Sequence, residues 1–256
     1  MLKKFFFALL ILLISSGATV AQSSSADSRV EFDFRYWITD LNSKARVSSQ
    51  VLDGTEFDVK DDLGLEDRNF PEFKFAGRLT KNHKLRFEYF QVDYSGDKSI
   101  TRSIRFGGQD FNVSTRVVSD FDLKQLRAGY SWQFIGNERI RFGPLVEVRG
   151  VWLNATLVAP DDGISESRDF AVPVPAFGAD LDAYPHEKVQ VFASVAGTPD
   201  NRFGHLIDAD FGVKVFPIKN VGVTTGYRFF DLKGKDDDDF ATARIKGFTI
   251  GAAFRF

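Results

Sequence analysis

Counting back from the carboxy terminus, Phe256, Phe254, Ala252, Ile250 and Phe248 are apolar, and the residues between them, from Arg255 to Gly247, are small or polar. A repeat of two marks a strand with one apolar and one polar face. The same alternation opens the body of the chain. Val30, Phe32, Phe34, Tyr36 and Ile38 share one face, and Glu31, Asp33, Arg35 and Trp37 share the other. A second segment runs from about Phe70 to Thr80. A third starts at Leu85, climbs to Gly107-Gly108 and returns as a fourth to Phe134. Six more follow: Ile140 to Leu157, Arg168 to Tyr184, Val189 to Val195, His205 to Phe216, Val221 to Leu232 and the closing strand.

The connections between these ten strands sort by parity. Those at 81–83, 136–138, 185–188 and 217–220 are short, whereas 39–69, 107–110, 159–167, 198–202 and 233–239 are mostly long or acidic. This pattern predicts an all-β, antiparallel, transmembrane up-and-down β-barrel, closed, with short turns at one end and longer loops at the other. An even strand number puts both termini at the short-turn end. An eight-stranded alternative requires merging segments across Pro185 or Pro217. The third and fourth strands exceed the roughly 9–11 residues that a bilayer crossing needs, which predicts a protruding β-ribbon around Gly107-Gly108.

Composition narrows the setting. Lys3 and Lys4, the apolar run Phe5 to Ile14 and the small-residue site Ala18-Thr-Val-Ala21 form a signal peptide over residues 1–21, followed by a short tether over 22–28 and one barrel domain over 29–256. The chain has no cysteine, which excludes disulfides, thiolate zinc and a lipid anchor through cysteine. Without Lys3 and Lys4 there are 31 basic residues against 35 acidic, so no nucleic-acid partner is indicated. No later segment is apolar for the ~20 residues of a spanning helix. A chain that spans a membrane without such helices can satisfy its backbone only as a closed barrel.

With the apolar face toward lipid, the other face fills the lumen. It receives Glu31, Asp33 and Arg35 from the first strand, Lys74 and Arg78 from the second, and Arg86 and Glu88 from the third. Arg127, Arg141, Glu147 and Arg149 follow, then Asp180, Asp182, Asp208, Asp210, Lys214, Arg228 and Arg255. Mixed signs in a barrel this narrow predict a salt-bridged plug. A general porin is disfavoured, since water-filled channels come with about 16–18 strands. Tyr36, Tyr89, Tyr130, Trp132, Trp152, Tyr184, Phe254 and Phe256 are expected outside, as membrane-interface aromatics.

The signal peptide, the ten alternating segments and the terminal Phe256 together resemble small Gram-negative outer-membrane β-barrel proteins. More narrowly, Asp58-Val-Lys-Asp-Asp-Leu-Gly-Leu65, Asn82-His-Lys-Leu-Arg-Phe-Glu-Tyr89, Ser119-Asp-Phe-Asp122 and the stretch from Gly226 to Asp239 resemble a group of such barrels that brings a fold and a location but no activity to transfer. The resemblance implies export through the general secretory pathway, periplasmic termini, and recognition of Phe256 by the barrel-assembly machinery. Outer-membrane lipids and lipopolysaccharide would be the surrounding partners; any extracellular ligand is left open.

Candidate chemistry is sparse. Omptin-like proteases use acidic pairs and a His–Asp pair near the outer rim, and lipid A deacylases a His–Ser arrangement. His83 and His186 fall in short turns, the wrong end for both. His205 lies near the outer rim, but residues 205 and 208 of one strand point to opposite faces, so His205–Asp208 is no ready dyad. Asp236-Asp-Asp-Asp239 could attract a divalent cation, yet it lacks the interleaved Asp and Gly of a calcium loop and reads as a solvated loop. Asp61-Asp62 and Asp161-Asp162 read likewise. The expectation is therefore no catalytic residues, no metal site and no cofactor. The primary reading is a non-enzymatic barrel with a structural or surface-interaction role through loops 39–69 and 97–119. A narrow solute channel is the alternative, and a rim hydrolase comes after it.

Overall fold

The computed structural model describes residues 28–48, 53–137, 139–236 and 239–256, and of these all side chains but those of Asn201 and Asp236. The expected signal peptide and most of the tether lie outside the described residues, as do Asp237 and Asp238 of the acidic run.

Strands β1 (Val30–Asn42), β2 (Lys44–Arg46), β3 (Phe57–Asp58), β4 (Phe70–Arg78) and β5 (His83–Ser99) come first. Then follow β6 (Ile104–Phe106), β7 (Gln109–Phe111), β8 (Arg116–Trp132), β9 (Ile135–Gly136) and β10 (Ile140–Ala159). Strands β11 (Ile164–His186), β12 (Val189–Asn201), β13 (Gly204–Ile218), β14 (Val221–Asp236) and β15 (Asp239–Arg255) complete the chain. Ten of them, β1, β4, β5, β8 and β10 to β15, form one closed antiparallel wall.

Closure is made by β1 against β15, from Glu31 opposite Arg255 to Asn42 opposite Arg244. The terminal residue takes part, as Phe256 donates its backbone N–H to Val30 at 2.8 Å and accepts from Arg29 at 2.7 Å. Partner to partner, Val30 faces Gly77, then Leu85, Tyr130, Val146 and Phe177 follow in turn. Gly197, Ile207, Asp231, Arg244 and Asn42 complete the circuit. One circuit thus returns to β1 twelve residues from its start. Such a stagger tilts every strand against the barrel axis.

The outer face carries an apolar belt. Phe34, Ile38, Phe73, Phe211, Phe248 and Ile250 each leave roughly half or more of their surface uncovered. In water this would be a liability; against lipid it is the contact surface. Neighbouring rings brace the belt, with Phe32 on Phe75 at 5.0 Å and Phe34 on Phe73 at 5.1 Å between centroids.

The long-loop end is uneven. The β12–β13 hairpin stops at Asn201 and Gly204, while β11 runs on to Ile164 with no β12 partner beyond Phe177. Pro173 and Pro175 fall on this open edge. Proline has no N–H to leave unpaired there.

Two segments differ from their sequence expectation. The β5–β8 ladder does rise well past the belt, to Ser99 opposite Arg116. Beyond it, β6 and β7 form a separate hairpin around Gly107-Gly108, and this tip folds back over the barrel mouth. The reason is that Ile100, Ile104, Phe106 and Phe111 are apolar, and all four are buried. The described residues of loop 39–69, expected to be a surface loop, are likewise built into the fold. Ala45 of β2 pairs with Ala241 of β15, β3 pairs with β2, and Phe57, Val59, Leu63 and Leu65 are buried. The two segments are joined, since Gly107 donates to the Val47 carbonyl and Thr55 to that of Arg105, each at 3.0 Å.

Gly96 permits this packing. A Cβ there would lie 2.4 Å from the Leu63 carbonyl oxygen. Gly96→Val should therefore push the first loop off the barrel while the wall stays folded. Limited trypsinolysis at Lys60 and Arg68 should speed up several-fold, with the heat-modifiable electrophoretic mobility of the barrel kept. Unchanged protection would contradict this packing.

Candidate functional site

The inward and outward faces of the tall strands exchange character part-way up. On β8 the inward residues nearest the short turns are Ser131, Arg127 and Gln125, and those above are Leu123, Phe121 and Val117. The outward residues change the opposite way, from Trp132, Tyr130 and Leu126 to Lys124, Asp122 and Asp120. On β10 the inward Glu147 and Arg149 give way to Val151, Ala155 and Leu157, as the outward Val146, Val148 and Trp152 give way to Asn154 and Thr156. The interior therefore has two storeys, one charged and one apolar.

In the charged storey nine cations meet nine carboxylates. Arg228, fully buried, donates to Asp208 from Nε at 3.0 Å and from Nη2 at 2.7 Å, and pairs with Glu72 and Glu88. Arg149 bridges Asp208 at 2.6 Å and Glu147 at 3.0 Å. Arg127 pairs with Glu88 and reaches Asp208 at 3.4 Å. Arg35 clamps Asp210 with two bonds of 3.0 and 3.1 Å, and also pairs with Glu72. Lys74 lies between Asp210 and Glu88.

Nearer the short turns, Arg86 bridges Asp180 at 2.7 Å and Glu147 at 2.9 Å, and Arg78 and Lys84 hold Asp182 at 2.9 and 2.8 Å. Lys214 joins Glu31 at 3.0 Å to Asp33 at 2.8 Å. Arg141 lies 5.7 Å over the Tyr184 ring, and Arg255 lies 3.8 Å over Phe216. The nine cations and nine carboxylates each find a counter-ion, the condition under which buried ions are tolerated. Arg141 and Arg255 add two further buried guanidiniums set over aromatic rings.

Every lumenal residue expected from the sequence thus faces inward. Glu72 and Lys84 were missed. Each lies two residues before an expected member on the same face, Lys74 and Arg86, so alternation alone could have found them. Glu72 falls inside the expected second strand, and Lys84 falls between the expected turn at 81–83 and the expected start of the third strand at Leu85. Of the expected outer aromatics, Tyr36, Tyr89, Trp132, Trp152, Phe254 and Phe256 are exposed, and Tyr130 is half-buried beside His83. Tyr184 faces inward instead, where its hydroxyl accepts from Arg78 at 3.1 Å. It falls where the pairing of β11 with β12 becomes irregular, between Ala183 and His186.

An aromatic layer separates the storeys. Trp37, Phe70, Phe90 and Phe230 are packed edge to face or tilted, with centroids 5.2 to 6.1 Å apart. The Arg228 guanidinium lies beneath it, 4.9 Å from Trp37 and 5.4 Å from Phe90, a cation–π contact that helps hold a desolvated charge. Above the layer is a cavity of about 300 Å³ whose wall is largely apolar, from Leu41, Val59, Leu65, Tyr94, Leu123 and Val151 among others. Arg46, Arg168, Asp169, Lys235 and Asp239 edge it.

The acidic first loop is used structurally. Asp58 accepts from the backbone of Lys60 and Asp61, and Asp67 accepts from Leu41 at 2.8 Å. Arg102 bonds Asp62 at 3.0 Å and the Glu56 carbonyl at 2.7 Å. The hydrogen bond from Arg102 holds the Asp62 carboxyl below its ordinary value, against a smaller opposing effect of burial. Burial raises Asp67, but the Leu41 N–H and Lys60 together outweigh it and leave that carboxyl lowered. No cluster suited to a metal ion occurs among the described residues. His205 faces outward near Asp200 and Asp231, at 3.8 and 3.7 Å, beyond hydrogen-bond distance.

No family model matches the chain, and no curated protein matches it in sequence. Among solved structures, the outer membrane protease OmpT from Escherichia coli aligns with a TM-score of 0.55 at 9% identity, covering 93% of this chain and 100% of that one. The barrel is of the outer-membrane type. Ail, the attachment invasion locus protein of Yersinia pestis, covers 89% of this chain and 99% of its own at 15% identity, with a TM-score of 0.40. Neisserial surface protein A covers 92% and 100% at 13% identity, with a TM-score of 0.36. At such identities the likeness carries the fold and no residue roles.

Two outcomes are expected of this site. Arg228→Met strands Asp208, Glu72 and Glu88, and removing one partner of a buried ion network costs about 3–5 kcal/mol. Denaturant unfolding in micelles should show that loss, partly recovered by adding Asp208→Asn; a loss below about 1 kcal/mol would contradict the network's role. For Asp62 and Asp67, lowered values mean stabilisation that is full above the ordinary carboxylate pKa of about 4 and is lost as pH falls through the lowered folded values. Hydrogen exchange at the Leu41 amide, corrected for intrinsic rate, should thus be protected equally at pH 6 and 8 and lose protection below about pH 4.

Proposed function

We propose that this chain is a closed, non-conducting outer-membrane barrel without a catalytic role, whose working part is the extracellular cup built from residues 39–69 and 97–119. The observation that carries this reading is the cup itself. Its buried side chains, including Phe57, Leu63, Ile104, Phe106 and Phe111, pack into the apolar upper interior of the wall, above a lumen filled by paired charges. Length beyond what the bilayer requires goes, in its described residues, into a built surface above the membrane, which supports a recognition role over a path through the lumen.

The surrounding partners in this reading are membrane lipids against the belt and lipopolysaccharide around the polar outer residues above it, such as Asp93, Lys124 and Asn154. The terminal strand ending in Phe256 is the feature offered to the barrel-assembly machinery. Against a rim hydrolase stands His205, whose two acidic neighbours are too far away to orient it as a base.

Single-channel recording in planar bilayers tests the reading. The refolded protein should give no discrete openings, and the same holds for Arg149→Gln. Steady openings of the wild-type protein that change size with Arg127, Arg149 or Arg228 substitutions would overturn it in favour of a narrow channel.

A further inference from the structure

The cavity above the aromatic layer is a feature that neither a plug nor a membrane anchor needs. Its volume of about 300 Å³ is twice the ~150 Å³ of an apolar cavity able to hold benzene, room for roughly twice benzene's six heavy atoms. Six of the wall strands give it apolar residues: Leu41 from β1, Tyr94 from β5, Leu123 from β8, Leu153 from β10, and Leu232 and Ala243 from β14 and β15.

The edge of the cavity is not neutral in its availability. Its acids are engaged: Asp239 accepts the Ser48 N–H at 2.7 Å, and Asp169 accepts from Asn154. Two of its cations are held only loosely, Arg46 by Glu56 and Lys235 by Asp200, each at 3.5 Å. An entering anion therefore meets cations that can turn toward it, whereas each edge carboxylate already holds a hydrogen bond. Access lies over the short β12–β13 hairpin. There Phe170 of β11 faces inward yet is 42% exposed, and its ring would touch a Cβ placed on Gly234 of β14 at 3.7 Å.

We propose that this cavity binds a single-chain amphiphile with an anionic head, of about the size of a ten-carbon carboxylic acid, its tail against Leu123, Leu153 and Leu232 and its head at Arg46 and Lys235. Phe170 flanks the entrance. The proposal rests on the closed-barrel reading, in which the charged storey and the aromatic layer shut the pocket off from the short-turn side.

The test uses the full-length folded protein in lipid nanodiscs, with decanoate, 1-decanol and decylammonium as probes, titrated calorimetrically against empty nanodiscs. Decanoate should bind saturably at one site per barrel and at least tenfold more tightly than decylammonium or 1-decanol. Ala243→Phe, which fills the cavity, should weaken decanoate at least tenfold, and Ala155→Phe serves the same end should Ala243→Phe fail to fold. In Arg46→Gln/Lys235→Gln the preference for decanoate over 1-decanol should vanish. No saturable binding of decanoate, or binding unchanged by both filling variants, would overturn the site. Equal wild-type affinity for the three probes would overturn the anionic assignment. Channel recordings on the same preparations separate the failures: a silent barrel that ignores decanoate sinks only this inference, while a conducting one sinks the reading beneath it.

Discussion

A strand that leaves a bilayer for water must exchange its two faces. Inside the membrane its outer residues have to be apolar, because lipid solvates nothing else. Above the membrane the outer residues meet water, and the apolar ones belong within. The tall strands obey this in register: β8 turns from Leu126 out and Arg127 in to Lys124 out and Leu123 in, and β10 from Val148 and Arg149 to Asn154 and Val151. One continuous ladder of backbone hydrogen bonds thus carries two proteins of opposite polarity, a membrane barrel below and a water-facing barrel above.

What fills each storey follows. The lower interior is enclosed by backbone and belt, and there the charges neutralise one another through multiple partners. Arg228, Arg149 and Arg127 share Asp208, and Arg35 and Lys74 share Asp210. Shared partners tie non-adjacent strands together across the lumen, which fixes register more firmly than pairwise bridges would. The upper interior cannot be closed by the wall, because β12 and β13 stop early. It is closed by folding chain over it, and the side chains that do so come from β2, β3, β6 and β7 and from the turns between them. Trp37, Phe70, Phe90 and Phe230 form the boundary, with one aromatic side toward the guanidinium of Arg228.

Much of this was legible in the sequence. Period-two alternation marks the ten wall strands, and the parity of loop lengths orients them. The lumenal charges from Glu31 to Arg228 follow from the same alternation. The two misread segments above the membrane share one cause. Alternation says which residues share a face but not which face looks inward once the solvent outside has changed. Ile104, Phe106 and Phe111 therefore read as a free ribbon, and Phe57 to Leu65 as a surface loop, although both are apolar enough to demand cover. The inversion itself is written in Lys124, Asp122 and Asp120 following Trp132, Tyr130 and Leu126 on one parity. The cavity, by contrast, depends on where β12 and β13 end relative to β11 and β14, a tertiary fact that no local pattern carries.

Because the chain has no cysteine, the two-storey interior can be probed directly by single-cysteine labelling with a membrane-impermeant maleimide. Thr242→Cys, at the edge of the apolar chamber, should react when the reagent is added from the loop side. Ser131→Cys and Thr224→Cys, buried among the paired charges, should stay unlabelled from either side until the barrel is denatured. Labelling of either lower position in the folded barrel would mean that water runs through the charged storey, and the division of the interior would be wrong.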